Sequence, residues 1–288
     1  MLLFDLPNII NITKTYNLNK NIYFSSITSN SKLTNKNTIF IYNKKLDVKK
    51  DYVLEAQKNN IPAIISNIYL NNLSIPQFVV KDIDLEVETL LRNIYKNQPT
   101  KTIAVTGTNG KTSVVWYISN ILKLLNYENI TVGTLGYFKN GKKIHNISLT
   151  TPNYEEIYKY GYLNSKNKYF YVFEASSHAL DQNRLRNYPI DIAAITNISL
   201  DHLDYHKNTS EYKKAKSKLF TKYLSKGGLA IINSKLEKIL RIDKKLKEKN
   251  IKKIYFGKIN NTLIKEKKFF TLIVKNKKFK IIKLNQET

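Results

Sequence analysis

Cysteine is absent from all 288 residues, which excludes disulfides and thiolate metal sites and fits a reducing compartment, here expected to be the cytoplasm. No uninterrupted apolar stretch approaches the length needed to cross a bilayer. The opening residues Met1–Pro7 carry no basic region and too short an apolar run for a secretory signal, so no membrane insertion is expected. Acidic residues are few, 22 against 48 basic ones, leaving a net charge of +26. Arginine is scarce as well, and the lysines are spread among many Asn and Ile residues. A surface that reads nucleic-acid phosphates more often carries arginines and interleaved aromatics. The charge therefore reads as compositional drift, with no nucleic-acid partner expected, although it helps attract an anionic small substrate.

The length is enough for two domains with proper cores. What is present is concentrated in Lys101–Ser113. Ile103–Val105 is an apolar run suited to one buried parallel strand. Gly107-Thr108-Asn109-Gly110-Lys111-Thr112-Ser113 follows, and apolar residues then recur at 114, 118, 121, 122 and 125 with helical spacing. A strand, a glycine loop and a helix in that order form a phosphate cradle. Backbone N–H groups and the helix N-terminus hold the anion, a Lys reaches the terminal phosphates and a Thr hydroxyl meets Mg²⁺. The usual pattern has a glycine five residues before Gly110, where Val105 stands, so the match is to a shorter variant. The bland alternative is a glycine turn that only caps a helix. The Lys-Thr pair behind a strand favours nucleotide binding, with ATP and Mg²⁺ as the expected cofactors.

Residues 1–96 read as a small α/β domain, with strand candidates at 38–42, 63–66 and 78–80 and helices over 51–59 and 85–95. Asn97-Gln98-Pro99-Thr100 breaks the pattern and marks a boundary near residue 96. Residues 97–288 read as an α/β ATP-binding domain of three layers with a mostly parallel sheet, because strands and helices are expected to alternate. Strands are expected at 169–173, 190–195 and 229–233, a basic helix over 211–224, and a β-hairpin between Phe269 and Leu284 around Lys275-Asn276-Lys277. Ligands of such sheets bind beyond the carboxyl ends of the strands, where Glu174 and Thr196-Asn197 fall.

Taken singly, these polar residues leave alternatives open. A carboxylate such as Glu174 at a strand end beside a triphosphate site suits Mg²⁺, which takes hard oxygen ligands. His202 is compatible with a metal ligand, a carboxylate partner or plain packing, and a lone His is more often structural. Lys216 in a Lys-rich helix reads most simply as solvated surface. Arg184 fits either a surface charge or a bidentate anchor. On this footing the chain is a Mg-ATP-using α/β enzyme with an anionic substrate.

Together, Thr106–Thr112, Glu174–Leu180, Asp201–His206 and Ala215-Lys216 stand in an order that resembles the Mur ligases of peptidoglycan synthesis. Within them the pattern is similar to the ligases that add the third amino acid, diaminopimelate or lysine, to UDP-N-acetylmuramoyl-L-alanyl-D-glutamate. The resemblance implies that Gly107, Thr108, Asn109, Gly110, Lys111, Thr112 and Ser113 bind the ATP phosphates. It implies that Thr112, Glu174 and His202 serve Mg²⁺, and that Lys216 is a carbamylated lysine whose oxygens help hold or orient the second metal site. Lys111, Lys216 and His202 are the implied catalytic residues. Thr150, Thr151, Ser176, Gln182 and Arg184 match positions for the UDP-muramoyl peptide, and Ser29 and Ser31 lie in a stretch similar to the family's uridine-contacting region. The implied reaction is attack of a carboxylate on the γ-phosphate, giving an acyl phosphate, followed by attack of the incoming amine.

The chain departs from the family pattern at Asn30 and Lys32, where Asp and Arg are usual, and at Lys207, where Gly is customary. The motifs of the family's third, C-terminal domain do not occur before Thr288, so two of three domains are expected. The readings that follow are an ATP-dependent ligase, a non-catalytic module binding Mg-ATP and the UDP-sugar peptide, or one half of a split ligase served by a separate chain. A phosphate-binding nucleic-acid protein is the reading that leaves most of the motifs unexplained.

Overall fold

A computed structural model describes residues 1–44, 51–199 and 205–257, together with strands over 261–265, 269–274 and 277–282. The chain divides into two compact units, one formed by 1–98 with 154–164 and the other by 99–153 with 165–288.

The first unit contains β1 (Ile12–Tyr16), β2 (Ser26–Thr28), β3 (Thr38–Tyr42), α1 (Asp51–Lys58), β4 (Ile64–Ser66), β5 (Gln77–Val80) and α2 (Ile83–Ile94). The strands lie in the order β1-β5-β4-β3-β2, parallel except for β1 at one edge. Each residue of β3 is buried, as expected of a strand covered on both faces. Phe40, Tyr42, Val53, Ala56, Ile61 and Ile64 form a core between α1 and the sheet. Helix α2 starts two residues earlier than the periodicity implies, because the Asp82 side chain accepts from Leu85 N at 3.1 Å and caps the first turn.

The second unit opens with β6 (Lys101–Thr106) and α3 (Lys111–Leu124), followed by β7 (Glu128–Gly133), β8 (Gly136–Lys139) and β9 (Lys142–His145). The chain then supplies α4 (Tyr154–Gly161) to the first unit, where it packs against β2 and α2. It returns as β10 (Tyr169–Glu174), α5 (Ser177–Asp181), β11 (Ile190–Ile195), α6 (Thr209–Lys218), β12 (Leu224–Asn233), α7 (Glu237–Leu240), α8 (Asp243–Glu248) and β13 (Lys252–Phe256). The sheet order is β13-β12-β11-β6-β10-β7-β8-β9, with β13 through β7 parallel and β7-β8-β9 antiparallel. Ile103, Val105, Val115, Leu122, Val172 and Ala194 join α3 to the central strands.

Strict alternation of strand and helix therefore stops at the β7–β9 ribbon. Its turn is Asn140-Gly141, both with positive φ (50° and 77°), the backbone that a tight hairpin demands. The basic helix expected over 211–224 is α6 followed by a π-turn over Leu219–Tyr223, which turns Leu219, Phe220 and Tyr223 into the core. A separate three-stranded sheet contains β14 (Asn261–Lys265), β15 (Phe269–Val274) and β16 (Lys277–Ile282). Strands β15 and β16 pair as the expected hairpin, and the turn residues Lys275 and Asn276 lie outside the described residues. Among the described residues no helix is long and apolar enough to cross a membrane.

Candidate active site

The site lies at the carboxyl ends of β6, β10 and β11, all within the second unit. The loop after β6 is fixed by the end of β11. Asn197 O accepts from Thr108 N (3.0 Å), Asn197 Oδ1 accepts from Asn109 N (3.0 Å), and Asn197 Nδ2 and Thr196 Oγ1 both donate to Asn109 O (3.0 and 2.6 Å). Gly107 has φ +145°, and a Cβ there would lie 1.9 Å from Thr196 Oγ1, so a larger residue could not share this junction. Gly110, at φ +82°, starts α3 without a side-chain cap. Lys111 Nζ donates to the carbonyls of Gly107 and Thr108, each at 2.9 Å.

Behind the loop, Lys216 on α6 is 1% exposed. Its Nζ donates to Gly107 O at 2.8 Å and lies 4.4 Å from the centre of the Tyr212 ring. The Tyr212 hydroxyl in turn meets Thr108 Oγ1 at 3.0 Å. The sequence reading of Lys216 as a solvated surface residue is thus corrected: α6 turns this one lysine of its basic run into the interior.

Glu174, at the end of β10, is also 1% exposed. Its carboxylate accepts from Thr134 N (2.7 Å), Thr134 Oγ1 (3.3 Å) and Thr112 Oγ1 (3.0 Å). A Cβ on Gly133 would meet Glu174 Oε1 at 2.1 Å, so the missing side chain at the end of β7 is what admits the carboxylate. Buried carboxylate and hydroxyl oxygens are the hard donors that Mg²⁺ prefers, and Thr112 with Glu174 fits it. Among the described residues no three His, Asp or Glu side chains gather into a metal cluster. His202 lies outside the described residues.

A cavity of about 460 Å³ joins the loop to the neighbouring strand ends; Thr108–Thr112, Glu174, Thr150, Thr151, Ser176 and Arg184 line it. Thr151 Oγ1 donates to Glu174 O (2.8 Å) and accepts from Ser176 N (2.9 Å). Arg184 Nη1 donates to Thr151 O (3.1 Å), and its Nε and Nη2 donate to Gln182 Oε1 (2.8 and 2.5 Å). Gln182 is exposed outside the cavity wall and orients Arg184 from there. Ser113 is exposed on the first turn of α3 and does not line the cavity. Ser29 and Ser31 belong to the first unit; Ser29 is exposed, while Ser31 is buried and its Oγ donates to Glu55 Oε2 at 2.5 Å. Sequence reasoning assigned no role to Gly133, Thr134, Thr196, Asn197, Tyr212 or His178. The stretches containing Asn197 and His178 were conspicuous, whereas nothing local marks Gly133.

Asp181, at the end of α5, accepts from Lys218 Nζ at 2.6 Å and from the Tyr205 hydroxyl at 3.4 Å. The bond from Lys218 holds its carboxyl below the usual range, against a smaller opposing effect of burial and with help from the charges on Lys218 and His206. A depressed carboxyl contributes stability that is complete above its unfolded-state pKa and is lost as pH falls through the folded value. The difference in melting temperature between wild type and Asp181→Asn is therefore expected to be largest near about pH 6 and to narrow towards about pH 3. A difference constant over that range would remove the ion pair from the account.

A glycine loop between a parallel strand and a helix, faced by a buried carboxylate, defines an α/β unit of the nucleotide-phosphate-binding class. Residues 105–287 match the Mur ligase middle domain, and the chain belongs to the Mur ligase family. It is 37% identical over 242 residues to a UDP-N-acetylmuramoyl-L-alanyl-D-glutamate–2,6-diaminopimelate ligase of Rickettsia bellii, covering 83% of this chain and 50% of that protein. The ligase of the same name from Rickettsia prowazekii is 36% identical over 252 residues, covering 84% and 52%. The chain thus spans about half the length of the curated relatives it matches. Among solved structures, one with that ligase name superposes with a TM-score of 0.67 at 23% identity, over 89% of this chain and 55% of that one. A MurF ligase of Thermotoga maritima solved in complex with ADP gives 0.58 at 18% identity, over 89% and 57%.

Proposed function

We propose that this chain carries the ATP- and UDP-muramoyl-peptide-handling part of a ligase. That ligase adds diaminopimelate to UDP-N-acetylmuramoyl-L-alanyl-D-glutamate in the cytoplasm. The observation that carries the reading is a single cavity with two kinds of wall. One kind is the glycine loop with Lys111, Thr112 and Glu174, and the other is Thr150, Thr151, Ser176 and Arg184, all lining the same cavity. The names borne by relatives at 36–37% identity supply the substrate and the amino acid.

In this reading the loop amides and Lys111 hold the β- and γ-phosphates of ATP, while Ser176, Thr151 and Arg184 orient the acidic peptide. A carboxylate oxygen of the peptide attacks the γ-phosphorus and ADP leaves, giving an acyl phosphate. The amine nitrogen of the incoming amino acid then attacks the acyl carbon, the C–O bond to phosphate breaks, and the amide forms as the nitrogen's proton leaves with the departing phosphate. Lys111 offsets negative charge on the transferring phosphoryl group. Thr112 and Glu174, together with His202 and a carbamylated Lys216, would hold Mg²⁺, which would supply further charge neutralisation. Ser29 and Ser31 are assigned to the uridine end; the half-buried Ser31–Glu55 bond leaves the backbone around Ser31 and the exposed Ser29 as the contacting groups.

The test is phosphate release from Mg-ATP with the UDP-muramoyl dipeptide, with and without diaminopimelate. Release that needs both the nucleotide sugar and the amine is the expected result for a chain competent in ligation. Binding of both ligands without release would favour the second reading, a module that works with a separate chain. Failure to bind the nucleotide sugar at all would overturn both.

A further inference from the structure

The structure assigns a substrate-contacting role to His178, with Tyr205 as its positioning residue; the assignment rests on the substrate reading given above. His178 sits on α5, half-buried, and lines the cavity together with Ser176 and Arg184. Lys111 also lines the cavity, but it belongs to the phosphate loop, where its Nζ donates to the carbonyls of Gly107 and Thr108. On the His178 side, Arg184 directs Nη1 to Thr151 O and both Nε and Nη2 to Gln182, so much of its donor set is committed to holding the wall itself. An imidazole N–H beside it is suited to a carboxylate oxygen of the acidic peptide, since a donor to an ionised acceptor is among the stronger hydrogen bonds available.

The ring is held, not loosely hung. Tyr205 lies against it with centroids 4.0 Å apart and planes tilted by 42°. The Tyr205 hydroxyl donates to Asp181 Oδ2 at 3.4 Å, and Asp181 is paired with Lys218 of α6 at 2.6 Å. From Tyr205 the contacts continue through His206 (centroids 4.8 Å) and Tyr212 (5.3 Å) to the hydroxyl of Thr108. One run of rings thus links the peptide wall of the cavity to the phosphate loop.

The experiment is titration calorimetry of the full chain with three ligands. These are UDP-N-acetylmuramoyl-L-alanyl-D-glutamate, the same nucleotide sugar without its dipeptide, and Mg-ATP. His178→Ala is expected to weaken binding of the dipeptide form about tenfold or more, leaving the sugar without dipeptide and Mg-ATP unchanged. His178→Asn, which keeps an N–H donor, is expected to recover part of the loss and guards against a folding defect. Tyr205→Ala is expected to follow His178→Ala in direction, while Tyr205→Phe, which keeps the ring contact, retains most of the affinity. Equal losses with and without the dipeptide, or unchanged binding in His178→Ala, would overturn the assignment and leave the substrate reading standing. A wild-type chain that binds neither nucleotide sugar would overturn the substrate reading and this assignment with it.

Discussion

Gly133→Ala is expected to destabilise the second unit by about 2–3 kcal/mol and to weaken Mg-dependent ATP binding about ten- to a hundredfold. The added Cβ would lie 2.1 Å from Glu174 Oε1 and 2.7 Å from its Cδ. Glu174 cannot turn aside cheaply, because it is 1% exposed and its oxygens are held by Thr112 and Thr134. Either the carboxyl group leaves those donors, with the cost of a buried polar group left without partners, or β7 shifts against β10 along the whole register from Glu128 to Val132. The loss corresponds to a melting temperature lower by about 5–10 °C for a unit of this size. A double-mutant cycle isolates the cause: in a Glu174→Ala background the Cβ has room, and Gly133→Ala is expected to cost much less there. Equal costs in the two backgrounds would mean that Gly133 serves the strand and not the carboxylate.

Lys216→Ala is expected to lower phosphate release by about a hundredfold or more, with partial recovery on adding a short carboxylate such as formate. The lysine is fully buried, 2.8 Å from a carbonyl of the phosphate loop, in a helix whose other lysines are exposed or half-buried. A plain ammonium at that place would repel Mg²⁺, whereas a carbamate would supply anionic oxygens. Intact-protein mass spectrometry at raised bicarbonate is expected to show the added mass of one carbon dioxide on wild type and none on Lys216→Met. Wild-type turnover in Lys216→Ala without any added anion would remove the carbamate from the mechanism. Where the chain binds without turnover, the Mg²⁺ dependence of its ATP affinity provides the same comparison.

The elements nearest this chemistry were legible in the sequence for a simple reason. A parallel strand covered on both faces is a nearly continuous apolar run: 169–173 is one, and 190–195 is one apart from Asp191, so both were read within a residue of their observed bounds. The phosphate loop was equally plain because glycine, lysine and threonine are each needed there for a different physical purpose. Strand β7 was not read because it carries Asn129 and Thr131, polar residues that are nonetheless buried. Asn129 is satisfied by the Ser119 hydroxyl at 2.7 Å and, through its backbone N–H, by Asn140 Oδ1 at 2.7 Å. Those partners come from α3 and the hairpin turn, so the strand's apolar pattern is broken for a reason visible only in the tertiary structure. The same holds for Gly133, whose value is the space it leaves for a side chain forty-one positions later. Lys216 was visible only through the family resemblance, because one lysine among many has no local mark of burial.

Helix α4 gives the chain an arrangement that bears on how it can be dissected. The polypeptide passes between the two units near residues 98, 153 and 164, not once. A cut near residue 96, where the loop chemistry of Asn97–Thr100 invites one, would not yield two self-contained pieces. The downstream piece would keep Tyr154, Ile157, Tyr158 and Tyr160, all buried in the whole chain, while losing β2 and α2 on which α4 packs. It would also part Tyr95 from Tyr162, whose rings lie 5.7 Å apart, and Asn97 from the carbonyl of Leu163. The two sheets are thus interleaved in a single thread, and expression or degradation that leaves the second without the first leaves Ile157 and the tyrosines of α4 with nothing to cover them.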